Sequence, residues 1–559
     1  MKKRWSICAV LYLMICLIGC GNIAERNKEN VENKENAAGW EAAATTPYGK
    51  YPELVTYTLG KMTGGNNSNM PVGDTYEDNA YTRYLKNMLN VQNEDVFEAA
   101  DNEYDDIVSM AIETNEMPDI MVVSTIEDVK RLADLDMIED LSEAYEQCAS
   151  ERIKDIYNSY GEDFFKNVTK DDKMLAIPET NIEDGPLLLW IRKDWMDALN
   201  LDEPGNIDDV EHIITQFIEQ DPGKNGEGNT VGIACDTNLV GESGYSYEYQ
   251  MDVLFACFNA YPRQWLAHED GTVSYGSVEP EVKDALVKLN DWYNKGIIDQ
   301  QFLVRTTSNV IDLITEGKCG AFFGPWWAPN NPLMSATAAD ENAKWQPYVI
   351  STAEDGSVSY CKRNPSYKYV VVRKGYEHPE LAIKILDVMY DYMRYEDSDA
   401  EEISKYYQMN VDMTARPLSI NIDYYDALDR CYSDLEEALK GKRTEQDMEL
   451  LEVAYFRSCK SYLENEEEAS VEDWAAYTSR IVALGLIQKT KNNQIPTVYF
   501  PETPSMQNEW WKLKNLEQET FLKIVTGESD ISAFDKFVTQ WQAEGGERIT
   551  QEVNSEIQQ

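Results

Sequence analysis

The stretch from residue 54 to 124 limits the fold most strongly. LVTYTLG (54–60) alternates like a strand and runs into the turn-rich KMTGGNNSNMPVGD. A helical pattern follows in NAYTRYLKNMLNV, then a strand candidate around DVFEAA, the helix YDDIVSMAIETN and the continuous apolar run DIMVVS (119–124). Strands separated by helices of about ten to fifteen residues make βαβ units and a parallel sheet. Ligands of such sheets sit beyond the carboxyl ends of the strands, which puts Gly64–Asn69 and Ser124–Thr125 on one rim. In that rim Asn66 and Asn67 offer amide donors and acceptors suited to hydroxyl pairs, and Ser124 joins them as a candidate contact. As a turn, GGNNSN equally favours asparagine for left-handed backbone.

Further on, KMLAIPETNIEDGPLLLWIRKDWMDALNL (173–201) reads as a strand, a crossing rich in acids, a second strand and a helix. Trp190 and Arg192 lie on that second strand, where an arginine suits two hydroxyls or a carboxylate, and equally one of the chain's many acids. Asn206 caps the helix IDDVEHIITQFIEQ, with Asp208 and Asp209 in its first turn. From about residue 423 the pattern is mostly helical. Some 510 residues beyond position 50 exceed what one hydrophobic core serves, so at least two domains are expected.

The N-terminus carries its own signal. Lys2, Lys3 and Arg4 precede the apolar run WSICAVLYLMICLIG (5–19), a secretory signal too short to span a bilayer. LIGC (17–20) resembles the lipobox of bacterial lipoproteins, which makes Cys20 the lipid-modified N-terminus. Residues 20–50 are rich in Asn, Glu, Lys and Ala and are expected to form a disordered tether.

Composition removes several function classes. Loss of residues 1–19 leaves 47 basic against 100 acidic residues, a formal −53, which repels phosphate backbones and excludes nucleic acid as a partner. The seven cysteines beyond Cys20 show no CxxC spacing and no disulfide framework. The three histidines, 212, 268 and 378, form no ligand motif. GxSxG, HExxH, Walker and GxGxxG motifs are absent. A glycoside hydrolase needs two carboxylates ~5–10 Å apart, and nothing marks such a pair among a hundred acids.

MPDIMVVS, KMLAIP, LLLWIRKDW, GKCGAFFGPWW, YKYVVVRKGYEHPELAIKIL and TPSMQNEWW stand in an order that resembles bacterial extracellular solute-binding proteins, the maltose-binding-protein-like branch that serves carbohydrate ABC importers. The resemblance covers most of residues 52–550. It implies an α/β fold, a two-lobed type II clamp with hinge strands and a helical C-terminal region. Residues 51–180 with 366–396 would form lobe 1, and 181–365 with 397–559 lobe 2, with hinges near Ile177–Leu189 and Ser359–Tyr367. It implies a carbohydrate ligand, permease subunits as partners and a place at the outer membrane face, with no enzymatic activity and no cofactor. A sensor presenting ligand to a histidine kinase would have the same fold.

By the same resemblance, Trp326 of GPWW and Trp510 of NEWW match tryptophans that stack on sugar rings, as a flat indole buries the apolar face of a pyranose. Trp327 and Trp511 are then expected in the core. Val123 and Ile126 stand at the first two of the places where the maltose-type pattern has a tryptophan, an aspartate and an arginine, which argues against maltose itself though not against sugars generally. In DPGKNGEGNT (221–230), Asp221, Asn225, the Glu227 carbonyl and Asn229 fit positions 1, 5, 7 and 9 of a structural calcium loop found in some large relatives. Position 3 is Gly223, and Thr230 replaces the acid expected near the end.

Overall fold

The computed structural model describes residues 37–64, 67–242, 248–397, 400–409 and 411–558. The chain divides into two compact units: one joins the chain up to Glu179 with Tyr367–Ile422, the other joins Thr180–Ser366 with everything from Asp423. Two main sheets contain nine strands: β1 (Val55–Met62), β2 (Val91–Ala99), β3 (Ile120–Val123), β4 (Ile177–Pro178), β5 (Leu188–Arg192), β6 (Val231–Ile233), β7 (Cys319–Gly324), β8 (Trp345–Tyr348) and β9 (Tyr369–Val372).

The sheet of the first unit has the order β2-β1-β3-β9-β4. β1 runs parallel to β2 and to β3, as the βαβ pattern requires. The sheet is nevertheless mixed, because β9 and β4 come from distant segments and pair antiparallel. β3 is buried at all four positions, as befits a strand covered on both faces. Capping explains where the flanking helices start. Asn79 and Thr82 form a capping box on Ala80–Leu89, and the Thr125 hydroxyl caps Ile126–Asp134.

Three expectations change in this unit. The tether expected over residues 20–50 gives way to a helix at 37–45. Low hydrophobicity predicted disorder, but tertiary contacts hold this segment: Trp40 stacks on His378, Ala43 is fully buried and Lys384 donates to the Thr46 carbonyl. Residues 397–422, assigned to the second lobe, pack with the first unit. The buried Lys61 ammonium donates to the Arg416 carbonyl and to Ser419 Oγ, and Ser419 in turn donates to the Met62 carbonyl. The chain therefore passes between units three times, after Glu179, Ser366 and Ile422, and the third passage was not foreseen.

The second unit has the sheet β8-β5-β7-β6. β5 is buried throughout and its side chains alternate between two cores. Leu188 and Trp190 join Phe322, Trp326 and Trp345, whereas Leu189 and Ile191 join Phe323, Phe217 and Trp195. Asn206 caps Ile207–Gln220 with Asp209 completing the box, as the sequence indicates. The helix Pro504–Val525 buries Met506, Leu513, Glu517, Phe521 and Ile524 along one stripe. Trp510 falls on this stripe. Trp511 falls outside it and is 60% exposed, so its expected core position is corrected by helical periodicity alone. Among the described residues no helix is long and apolar enough to cross a membrane.

Candidate ligand-binding site

The second unit carries a partly open cavity of about 70 Å³. Its wall begins at Asp184–Leu187, just after the first passage between units, and ends at Ser359–Cys361 and Arg363, just before the second. The loop Ala260–Gln264, the short helix Asp252–Ala256 and Pro325 complete it.

Polar groups enter from several directions. Asp184 forms an ion pair with Arg363 and accepts the Trp326 indole N–H at 3.0 Å. Asp252 accepts the Gly241 backbone N–H at 3.2 Å. Gln264 donates from Nε2 to the Glu242 carbonyl at 3.2 Å and accepts from Thr497 at 3.3 Å, so its amide orientation is fixed. Tyr261 and Tyr360 supply rings, and burial pushes both phenols above their ordinary range. Carboxylates, an amide, a guanidinium and tyrosine rings together match what a polyhydroxylated ring presents: hydroxyls at its edge and C–H groups on its faces.

None of the described residues singled out in the sequence lines this cavity. Trp326 is only 6% exposed. The Arg480 guanidinium lies over its ring at 4.3 Å and over the Tyr455 ring at 4.1 Å. Trp326 thus supports Asp184, while its neighbour Pro325 reaches the wall. Trp327 is partly buried against the same cluster. Trp190 is fully buried and donates to the Pro325 carbonyl at 3.1 Å, which ties β5 to the GPWW turn. Arg192 grips Asp194 through both carboxylate oxygens, at 2.8 and 2.6 Å, and packs against the Trp195 ring. Its fork is used within the fold. Trp510 stacks on Trp265 at 6.1 Å and meets Tyr275 edge-on at 5.0 Å. In the first unit Ser124 donates to Asp105 at 2.7 Å. Cys20 and Asn66 lie outside the described residues, as does the Asn67 side chain.

No sequence motif marks Asp184, Tyr261, Gln264, Tyr360 or Arg363. Their only sequence signals are the turn residues of DGP and the Tyr-Pro step of NAYPRQW, both placed between regular elements.

The calcium loop does not fit its ion. One oxygen of Asp221 accepts the Asn225 N–H and the Thr230 hydroxyl, and the other accepts the Gly226 N–H. These hydrogen bonds hold the Asp221 carboxyl below its ordinary range, doing from within the loop what a cation would do. Asn229 donates its amide to the Asn225 carbonyl. Position 3 cannot carry a ligand, because a Cβ at Gly223 would lie 2.5 Å from the Trp195 ring. Among the described residues no group of three or more His, Cys, Asp or Glu side chains could hold a metal.

Comparison with known proteins agrees with this architecture. A polygalacturonan/rhamnogalacturonan-binding protein of Bacillus subtilis, YtcQ, is 23% identical over 401 residues, covering 70% of this chain and 72% of the relative. Lipoprotein LipO of the same organism is 22% identical over 471 residues, covering 81% and 84%. The Streptococcus pneumoniae ABC-transporter substrate-binding protein FusA, solved with kestose, superposes with a TM-score of 0.58 at 15% identity over 90% of this chain and 99% of that one. Residues 67–392 match the sequence profile of one family: the chain belongs to the bacterial extracellular solute-binding proteins.

Proposed function

We propose that this protein captures a sugar or oligosaccharide outside the cell and delivers it to the permease of an ABC importer. The observation that carries the reading is the second unit's cavity. Its rings, carboxylates, amide and guanidinium suit a sugar, and two of its wall segments adjoin passages between the units. Family membership, a relative named for polygalacturonan and rhamnogalacturonan binding and a structural neighbour solved with kestose support the same class of ligand.

In this reading Asp184, Gln264 and Arg363 bond hydroxyls, Tyr261 and Tyr360 face the ring, and Trp326 buttresses the wall through Asp184. Asn66, Asn67 and Ser124 belong to the first unit and would contribute from there as the two units close on the ligand, a population shift driven by contacts made only when closed. Cys20 would carry the lipid that keeps the receptor at the outer face of the membrane. Nothing in this role requires a metal or a reaction.

Titration calorimetry against galacturonate, fructose and glucan oligosaccharides tests the ligand class, and scattering with the bound sugar tests closure. The expected result is micromolar binding of one class, lost in Asp184→Ala, with a smaller radius of gyration. No binding across the panel by wild-type protein sinks the sugar reading. For the anchor, Cys20→Ala is expected to release the protein into the medium or leave it unprocessed; a mature variant still at the membrane sinks the lipid assignment.

A further inference from the structure

Among the described residues between positions 239 and 263, four that are not glycine hold left-handed backbone: Leu239 (φ 55°), Tyr249 (φ 67°), Asn259 (φ 54°) and Arg263 (φ 63°). Asparagine tolerates this region, but leucine, tyrosine and arginine crowd Cβ against the following carbonyl, so the surrounding structure must enforce it. Arg263 is placed to do so. It is 4% exposed, and its backbone N–H donates to Ser277 Oγ at 2.7 Å. Its Nε donates to Glu517 Oε1 at 2.7 Å, and its Nη1 donates to the Val240 carbonyl at 3.3 Å and to Glu242 Oε1 at 3.2 Å. Glu517 sits in the middle of the 504–525 helix, is 0% exposed, and accepts the Tyr275 hydroxyl on its other oxygen at 3.1 Å. The loop is also pressed from outside: a Cβ at Gly276 would lie 2.0 Å from the Tyr261 carbonyl oxygen, and the Gly276 N–H donates to the Gln264 carbonyl at 2.8 Å.

We propose that the buried Arg263–Glu517 pair is the positioning device of the cavity, fixing the loop that carries Tyr261 and Gln264 and tying the 239–242 segment to the same point. Stability alone does not call for this arrangement, since a buried ion pair is commonly matched or surpassed by apolar packing. The planar, branched fork of arginine reaches a helix, a carbonyl and a second carboxylate at once, which no apolar side chain reproduces. The proposal rests on the ligand role given to this cavity and adds which residues set its shape.

Hydrogen exchange of the whole mature protein tests it, because the Leu239, Val240, Gly241, Asn259, Ala260 and Arg263 amides are all hydrogen-bonded and report local opening. In Glu517→Gln, segments 239–242 and 259–264 are expected to exchange at least tenfold faster, with the 207–220 helix unchanged. The apolar pair Arg263→Met/Glu517→Leu should regain the thermal midpoint yet keep the fast exchange. Arg263→Lys, a gentler change that keeps the charge, should show the same local effect with a midpoint near wild type. Exchange within twofold of wild type in these segments, or an equal rise in the 207–220 helix, overturns the proposal. Affinity for the sugar panel is measured in parallel: a wild type that binds none of it defeats the sugar reading, while the exchange result still decides the positioning role.

Discussion

Replacing Trp326 separates two accounts of this residue. As a sugar platform, its loss costs affinity and little else. In the structure it is 6% exposed, donates to Asp184 and lies under the Arg480 guanidinium. Truncation of a buried tryptophan to alanine costs about 3–5 kcal/mol. A hydrogen bond to a charged acceptor adds roughly 1.5–3 kcal/mol, and a desolvated cation–π contact about 2 kcal/mol. These groups touch one another, so the losses overlap, and about 4–5 kcal/mol is the expected total. Trp326→Phe keeps a ring under Arg480 and loses only the Asp184 bond and some volume, for about 1–2 kcal/mol. Scanning calorimetry should show the transition of the second unit falling by on the order of 5–10 °C in Trp326→Ala, and by a fraction of that in Trp326→Phe. Titration with a bound sugar should show both variants weakened through the unbuttressed Asp184. An alanine variant that melts with wild type while losing tenfold or more in affinity would refute the buttress and restore the platform.

Other perturbations read different parts of the molecule. Among the described residues Glu248 Oε1 has no hydrogen-bond partner, and burial pushes its carboxyl from 4.5 up to about 8. The folded state thus binds the proton more tightly than the unfolded one, so this contribution to stability is full below about pH 4.5 and is lost as pH rises through about 8. Glu248→Gln should accordingly stabilise the second unit by about 3 kcal/mol at pH 7 and by nothing near pH 4, as read by urea unfolding at both. Trp510→Ala should lower the midpoint by several degrees and Trp511→Ala by less than one, since only Trp510 packs on Trp265 and Tyr275; equal effects would contradict the helix stripe. Calcium or a chelator should leave the thermal midpoint within about 1 °C, because Asp221 is already satisfied by Asn225, Gly226 and Thr230. A calcium-dependent rise of several degrees would show that the loop opens to take the ion.

What the sequence discloses depends on how local its cause is. β1, β3 and the Asn206 cap follow from period and capping within a few residues, and they appear where expected. The contrast between Trp510 and Trp511 was equally available, because 506, 510, 513, 517, 521 and 524 step by three and four along one helix. β4 has two residues and no period, and its antiparallel place beside β9 is decided only by the tertiary fold. The 37–45 helix looks polar and is ordered by His378 and Lys384, more than 300 positions away. The cavity was hidden for the same reason. Asp184 and Arg363 are unremarkable acids and bases until the sheet brings them together, and Tyr261 is one of 34 tyrosines.

The unforeseen third passage bears on how any closing motion would work. Within the first unit the three chain ends are fastened to one another. Asn421 donates its N–H to Glu179 Oε1 at 3.0 Å, Glu179 donates its own to the Lys368 carbonyl at 2.8 Å, and the Lys368 ammonium reaches the Ser419 carbonyl at 3.2 Å. Within the second unit the matching ends are fastened too: Asn181 donates to the Pro365 carbonyl at 2.9 Å, and Asp423 to the Thr180 hydroxyl at 2.7 Å. Each bundle is part of its own unit, so the backbone change of the proposed closure has to fall in the few bonds between residues 179 and 181, 365 and 368, and 421 and 423. Hinges of this kind concentrate the dihedral change at element ends while the packed sheets keep their shape. Three short linkers, fastened side by side at both ends, leave fewer independent rotations than two, which favours opening and closing along one path. In the proposed role, a permease that distinguishes loaded from empty protein would read the two ends of that path.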